Sequence, residues 1–471
     1  MILKNAKIFY DGQIRKGMIS IKDEIIDLIL FDSSVNEFIK KSNDLLIIDC
    51  EERLILPGII DIHSHLRDMD QKEKETFQTS TLAAAFSGIT TVFNMPNTLP
   101  PALTANQVKE WMLKAKNNIF VDVGFISGVP KEIDENEIKK IIELGAIGFK
   151  IYPLKSLSGI EWTDSSNIQK IIHISSKYQI PIFIHPDWPY SSREKQRLLD
   201  INIQKGQSLL KIHNELHPEK CEVKFIEFVV ENYFKIIEKY NLTEEKYPII
   251  HFCHLSCEQS VLMLSQVFDS SYQMVTFGSQ INPNISYEIT PHHLLLNYNI
   301  ILEHPSFGKV LPPLRNSSNS KFLFDQLRKG KVKLIGTDHA PHALKDKLLP
   351  FFEAPSGFPG FETYTLLLLD KTFQKKLPLK YFVEAASENP AKRFNLKRKG
   401  FIKEGYYADL IIIEEVEDYP IDSQKFKTKA KFSPFENSNL SDRLTSVQIW
   451  KVLLRGNEVN LENSLPKGKI I

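Results

Sequence analysis

His63 and His65 stand one residue apart at the end of an apolar run, Ile59-Ile60-Asp61-Ile62. In a strand, residues i and i+2 project to the same side, so this spacing sets two imidazoles together where a buried strand ends. Such a pair is half a site for a borderline-soft divalent ion such as zinc. An H-x-H pair alone is a weak signal and also fits two incidental histidines. The downstream sequence supplies more. Lys150, His185, His254 and Asp338 each fall at or just past the end of another strand-like run. Taken singly, each has a plain reading, such as a core histidine or a lysine that snorkels to the surface. Together, four histidines, a lysine and an aspartate at five strand ends point to a metal site. The lysine is the odd member, because an ammonium repels cations. A buried lysine that loses its proton can add carbon dioxide, giving a carbamate able to bridge two metals.

Elements must carry these residues to one place. Strand-like runs fall at 59–63, 90–95, 120–127, 148–152, 181–185, 248–255, around 275–290, and at 332–337. Helical patterns lie between them. The stretch 104–116 opens on an N-cap threonine, and 135–144 ends at Gly145, with further examples at 257–268 and 380–386. Eight strands alternating with helices predict an α/β fold, a closed (β/α)8 TIM-type barrel over 57–399. No G-x-G-x-x-G follows any strand, which removes support for a dinucleotide fold. Runs at 2–10, 18–21, 25–30 and 45–49, with an Asp11-Gly12 turn, and later runs at 408–414 and 447–452, predict one small β-sandwich domain built from 1–56 plus 400–471. The long charged stretch 186–247 predicts two or more helices over the barrel mouth or rim. Residues 155–162 are a candidate lid.

The balance of 59 basic against 58 acidic residues leaves a net charge of +1. It gives no reason to expect nucleic acid or an anionic membrane as a partner. Lys139-Lys140 and Lys375-Lys376 read as solvated helix surface. No apolar stretch approaches a membrane span, and the opening residues lack the apolar core of a signal peptide. Four cysteines in 471 residues make no disulfide framework, so the expected setting is reducing and cytoplasmic. Cys253 and Cys257 have no second pair at ligand spacing and read as buried small residues.

The order H-x-H, Lys, His, His, Asp resembles the binuclear metal amidohydrolase superfamily. HLR at 65–67, MPNT at 95–98, GFKIY at 148–152, EITPHHLLL at 288–296, PPLR at 312–315, DHAPH at 338–342, GFPGFET at 357–363, SENPAKRF at 387–394 and KFSPFENSNL at 431–440 narrow the likeness to the dihydroorotase family. The resemblance implies a hydrolase interconverting N-carbamoyl-L-aspartate and L-dihydroorotate in pyrimidine biosynthesis. It implies two divalent ions, zinc by default, held by His63, His65, carboxylated Lys150, His185, His254 and Asp338. A hydroxide between the metals would attack the ring amide, with Asp338 as general base and acid. Arg67, Asn97 and His342 would bind the substrate carboxylate, and backbone at Pro359 and Gly360 the ring amide. A homodimer and an aspartate transcarbamoylase partner are further candidates. Asp68-Met69-Asp70 after HLR and Asp187 after His185-Pro186 depart from the family pattern. Dihydropyrimidinase and allantoinase share the metals, but their substrates lack the ring carboxylate that Arg67 and Asn97 suit. A non-catalytic scaffold would be expected to lose ligands that this chain keeps.

Overall fold

In the computed structural model, which describes residues 1–31, 34–41, 45–278, 280–436, 444–459 and 465–471, seven strands pair in parallel in the order the chain makes them. They are Ile59–Ser64, Ile89–Asn94, Asp122–Gly128, Gly148–Ile151, Ile182–Ile184, Ile250–Phe252 and Ile285–Tyr287. Their apolar, two-sided burial is what a parallel sheet covered by helices requires. The run around 275–290 divides. Ser270–Phe277 is helical, capped by Asp269 accepting from Tyr272 N, and only Ile285–Tyr287 joins the sheet; residue 279 lies outside the described residues.

The eighth segment, 332–337, closes the ring without forming a regular strand. Isolated parallel bridges join Ile335 to Ile289 on one side and His339 to Ser64 on the other. The physical reason is where its N–H groups go. Ile335 N donates to Ala385 O in the π-helical turn Glu384–Glu388, and Gly336 N to Ile289 O. Thr337 N donates to the Asp61 carboxylate at 2.7 Å. The donors are satisfied, but by three different neighbours.

The predicted helices stand close to their expected bounds. Ala105–Ala115 carries a capping box, with Thr104 Oγ1 accepting from Gln107 N and the Gln107 side chain returning to Thr104 N. Glu135–Glu143 starts on Asp134, and Gly145 follows it at φ +95°. The 186–247 region holds three helices, Ser192–Gln204, Leu209–Leu216 and Glu219–Tyr240. None of the described helices is long and apolar enough to cross a membrane.

The two end segments meet in one mixed sheet of eight strands. Leu54–Pro57, a strand not among the runs read from the sequence, is the junction. It runs parallel to Ile2–Tyr10 and antiparallel to Leu410–Pro420. Alternation sorts its faces: Ile55, Leu410 and Ile412 join Leu3, Ile8 and Leu453 in a small core, while Leu54, Leu56, Ile411 and Ile413 pack into the barrel core. Beneath the barrel, Asp122 binds Arg455 Nη1 at 2.6 Å and Lys399 Nζ at 2.7 Å, and Lys399 also binds Asp409 at 2.6 Å.

Candidate metal and substrate site

The first barrel strand sets the register of the site. His63 and His65 project into the ring, and Asp61 in the same strand accepts from Thr337 N and Oγ1, both at 2.7 Å. That clamp fixes the next residue, Asp338. Its Oδ1 lies 3.0 Å from His65 Nε2 and 3.5 Å from His63 Nε2. One ligand atom from each of these three buried residues falls within 4.8 Å of the others. His63 Nδ1 is held by Glu288, whose other oxygen meets His251 Nε2 at 3.1 Å and whose Oε1 accepts from His254 N at 3.2 Å. Gly336 makes room for this carboxylate. A Cβ there would stand 2.6 Å from Glu288 Oε2 and 2.9 Å from His63 Cβ.

His185 and His254 face each other, Nδ1 to Nε2, at 2.9 Å. Lys150 is buried beside them, its Nζ donating to Cys253 Sγ at 2.8 Å. Burial, with Lys150 adding to it, pulls His185 down to about 3, and burial pulls His65 down to about 4. Both rings are therefore neutral lone-pair donors at neutral pH. Burial and Lys150 also oppose charge on His63, but Glu288 and Asp338 outweigh them and lift it to about 10. Burial opposes ionisation of Asp338, yet His63 and His65 hold it well below the ordinary carboxylate range. The field here favours a positive charge on the histidine–carboxylate cluster, which a divalent ion would supply in place of a proton. His254 Nδ1, buried with no hydrogen-bond partner among the described residues, is a further unused donor. Neutral imidazoles, carboxylates and an unpartnered ring nitrogen fit divalent metal. His254 (φ +38°), Asp338 (φ +49°) and Arg67 (φ +60°) are held in the left-handed region, strain of the kind that collects at functional sites.

A cavity of about 440 Å³ opens above the cluster. His63, His65, His185, His254 and Asp338 line its floor, with Arg67, Asn97, Tyr152 and Lys155 around them and Val310, Leu311, Ala340, Ser356 and Gly357 completing the wall. Asn97 Oδ1 contacts His65 Nδ1 at 2.5 Å, which leaves the Nδ2 amide for a ligand. Arg67 is 6% exposed and donates from Nε to Pro341 O at 3.2 Å, with Nη2 3.4 Å from His342 Nε2. No carboxylate among the described residues pairs with it. Burial lowers this guanidinium to about 10, Asp338 opposing, so it stays charged at neutral pH. His342 donates from Nε2 to Ser356 O at 3.0 Å and does not itself line the cavity. Pro359 and Gly360 do not line the cavity. Gly360 N donates to His339 Nδ1 at 3.1 Å and begins the helix Phe361–Phe373, while Ser356 and Gly357 take the cavity wall. Lys155 reaches the cavity, and 156–162 adopt turns without a helix or strand.

Sequence reasoning missed Asp61, Glu288, Cys253 and Tyr152 as parts of this site. Asp61 and Glu288 had a usable signal, an acid inside an otherwise apolar strand run (IIDIHS, ISYEIT), since buried acids are rare unless partnered.

The amidohydrolase family model matches residues 54–459. Curated relatives named dihydroorotase include that of Methanosarcina acetivorans, 31% identical over 466 residues, covering 98% of this chain and 92% of the relative. The dihydroorotase of Pyrococcus abyssi is 31% identical over 466 residues, covering 98% and 96%. Among solved structures, the L-hydantoinase (dihydropyrimidinase) of Arthrobacter aurescens aligns with a TM-score of 0.82 at 24% identity, covering 100% of this chain and 98% of that one. The D-hydantoinase (dihydropyrimidinase) of a Thermus species aligns at 0.79 with 23% identity and the same coverage. At these identities the solved structures speak for the fold alone.

Proposed function

The chain belongs to the amidohydrolase family, and from that premise we propose that it is a dihydroorotase, catalysing the reversible cyclisation of N-carbamoyl-L-aspartate to L-dihydroorotate. The observation that carries the choice of substrate is Arg67. A buried guanidinium on the cavity wall, without a carboxylate of its own among the described residues, calls for an anionic substrate group. Dihydroorotate brings a ring carboxylate that a planar guanidinium can grip with two parallel bonds. Asn97 Nδ2 adds a third donor, and His342, its Nε2 3.4 Å from Arg67 Nη2, would share the same carboxylate.

In this reading His63, His65, Lys150, His185, His254 and Asp338 would hold two divalent ions, with zinc the expected metal for so imidazole-rich a set. Lys150, carboxylated on Nζ, would contribute oxygen ligands. Such ions, when bound, acidify water and polarise a carbonyl. The chain's own residues do the rest. Arg67 and Asn97 fix the ring so that its amide carbon lies over the histidines. Asp338, ionised at neutral pH and at the cavity floor, takes a proton from the attacking water and delivers it to the leaving nitrogen. In the cyclisation direction Asp338 takes the ureido proton instead. The same reading carries a cytoplasmic location, a homodimer and aspartate transcarbamoylase as a candidate partner.

The test is ring opening of L-dihydroorotate by zinc-loaded protein, followed by loss of ultraviolet absorbance, beside dihydrouracil and allantoin. Turnover of dihydroorotate is expected, and Arg67→Ala should lower kcat/KM by about 100-fold or more, the scale of losing a buried charged hydrogen-bond pair. A wild type inert on dihydroorotate but active on dihydrouracil would place the chain with the neutral-ring hydrolases instead.

A further inference from the structure

Tyr152 carries a phenol that none of the roles above uses. Its oxygen is buried and has no hydrogen-bond partner among the described residues, yet the residue lines the cavity. The fourth barrel strand, Gly148–Ile151, explains the placement. Lys150 lies within the strand and Tyr152 directly follows its last residue. Lys150 sits at the level of the ligand cluster, its Nζ against Cys253 Sγ and 5.2 Å from the centre of the Tyr152 ring. Tyr152 is one rung nearer the mouth, with its ring centre 6.1 Å from that of His185. A phenol can donate and accept. Burying one unpartnered is unfavourable, and an unmet donor on a side chain that lines a reaction cavity is accounted for when a ligand atom completes the bond.

Resting on the functional reading above, we propose that Tyr152 is a catalytic residue of ring opening, its Oη–H donating a hydrogen bond to the oxygen of the substrate carbonyl under attack. The carboxylate end of the substrate is served by Arg67 and Asn97, from the loops after the first two strands. Tyr152 directly follows the fourth strand and lies beside His185, where the reacting carbon lies. As water adds to that carbon, the ring C–N bond breaks and its electron pair passes to nitrogen, which takes a proton. The carbonyl oxygen carries the transient negative charge, and Tyr152 keeps its proton throughout. A fixed donor at the atom where charge develops acts without reorganising during the reaction.

The deciding comparison is full-length, zinc-loaded wild type against Tyr152→Phe, which keeps the ring beside Lys150 and His185 and removes only Oη. The expected result is a kcat on L-dihydroorotate lower by about 100-fold, a KM within about twofold of wild type, and unchanged metal content. The thermal midpoint should equal or exceed that of wild type, because the variant has no unpartnered oxygen to bury. A kcat within twofold of wild type would overturn the proposal. So would a raised KM with unchanged kcat, which would assign the phenol to ground-state binding, or a fall in thermal midpoint with loss of metal, which would make it structural. Should wild type open dihydrouracil or allantoin but not dihydroorotate, the substrate reading fails while the same comparison on the opened ring still judges Tyr152. Inertness toward all three rings overturns both.

Discussion

Lys347 shows how a single buried charge shapes the cavity wall. It has no exposed surface, and its ammonium donates to Pro355 O and Gly357 O, both at 2.9 Å, and to Lys309 O at 3.4 Å. The carbonyls of Pro355 and Gly357 belong to the loop that brings Ser356 and Gly357 to the cavity. Burial, with Lys309 adding to it, depresses Lys347 to about 7, against an ordinary 10.5. The folded state thus disfavours the charged form relative to the unfolded chain. Wild type loses stability through this group as pH falls from 10.5 towards 7, and below 7 the deficit is complete. Relative to Lys347→Met, wild-type stability from urea titrations is expected to rise between pH 7 and pH 10, by at most about 1.4 kcal/mol per pH unit. A difference that is flat across that range would place the lysine's proton affinity elsewhere. At this scale the sequence pointed to the residues at the cavity floor better than to those that support them. His63, His65, His185, His254 and Asp338 each end or follow an apolar run, and strand ends in a barrel share one mouth. Lys347 carries no such mark, and Glu288, though it follows the run 285–287, does not announce which ring it will hold. Their roles arise from carbonyls and rings brought near from distant parts of the chain.

Among elements, the segment 332–337 departs furthest from regular geometry and carries the most chemistry. Its residues pass between a π-helical turn, the neighbouring strand and the Asp61 carboxylate, and so deliver Asp338 at φ +49°. A regular strand would have paired these N–H groups with neighbouring backbone alone. Gly336→Ala tests this arrangement. The new Cβ would meet Glu288 and His63 under 3 Å, forcing one of them aside. The expected outcome is a loss of about 1–3 kcal/mol in stability, with less metal retained per chain by elemental analysis; normal metal content would mean that Glu288 relaxes without disturbing His63. The apolar pattern located seven parallel strands, because two-sided burial leaves a continuous apolar run. It also marked 332–337 as the eighth, but periodicity carries no information about donors spent on side chains. The run around 275–290 misled for a related reason: the Asp269 cap sits just upstream and turns its first part into helix.

For the molecule as a whole, the barrel and the terminal sheet are joined by charge as well as by shared apolar packing. Asp122 belongs to the third barrel strand, Lys399 to the chain beyond the last helix, and Asp409 and Arg455 lie beside the terminal strands. All four are buried, with two charges of each sign. Removing one member leaves an uncompensated charge, which typically costs about 3–5 kcal/mol. Asp122→Asn should therefore lower the urea midpoint strongly while leaving kcat per folded molecule unchanged, since the cluster lies beneath the barrel, away from the cavity. A loss of kcat at full folding would show coupling between the two ends. The sequence indicated that both termini build β structure, because runs at 2–10 and 408–414 are visible locally. It did not indicate this four-way ion cluster, whose members lie from residue 122 to residue 455.

The pairing of Leu54–Pro57 with Leu410–Pro420 also has a consequence in time. On a ribosome adding roughly 5–20 residues per second, the interval between residue 57 and residue 410 is on the order of 20–70 s. Throughout it, the strand that leads into the barrel shows one edge of backbone N–H and C=O groups with no strand partner. The amino-terminal strands are the first made and among the last completed, and until then they present an unpaired strand edge of the kind that other chains can pair with.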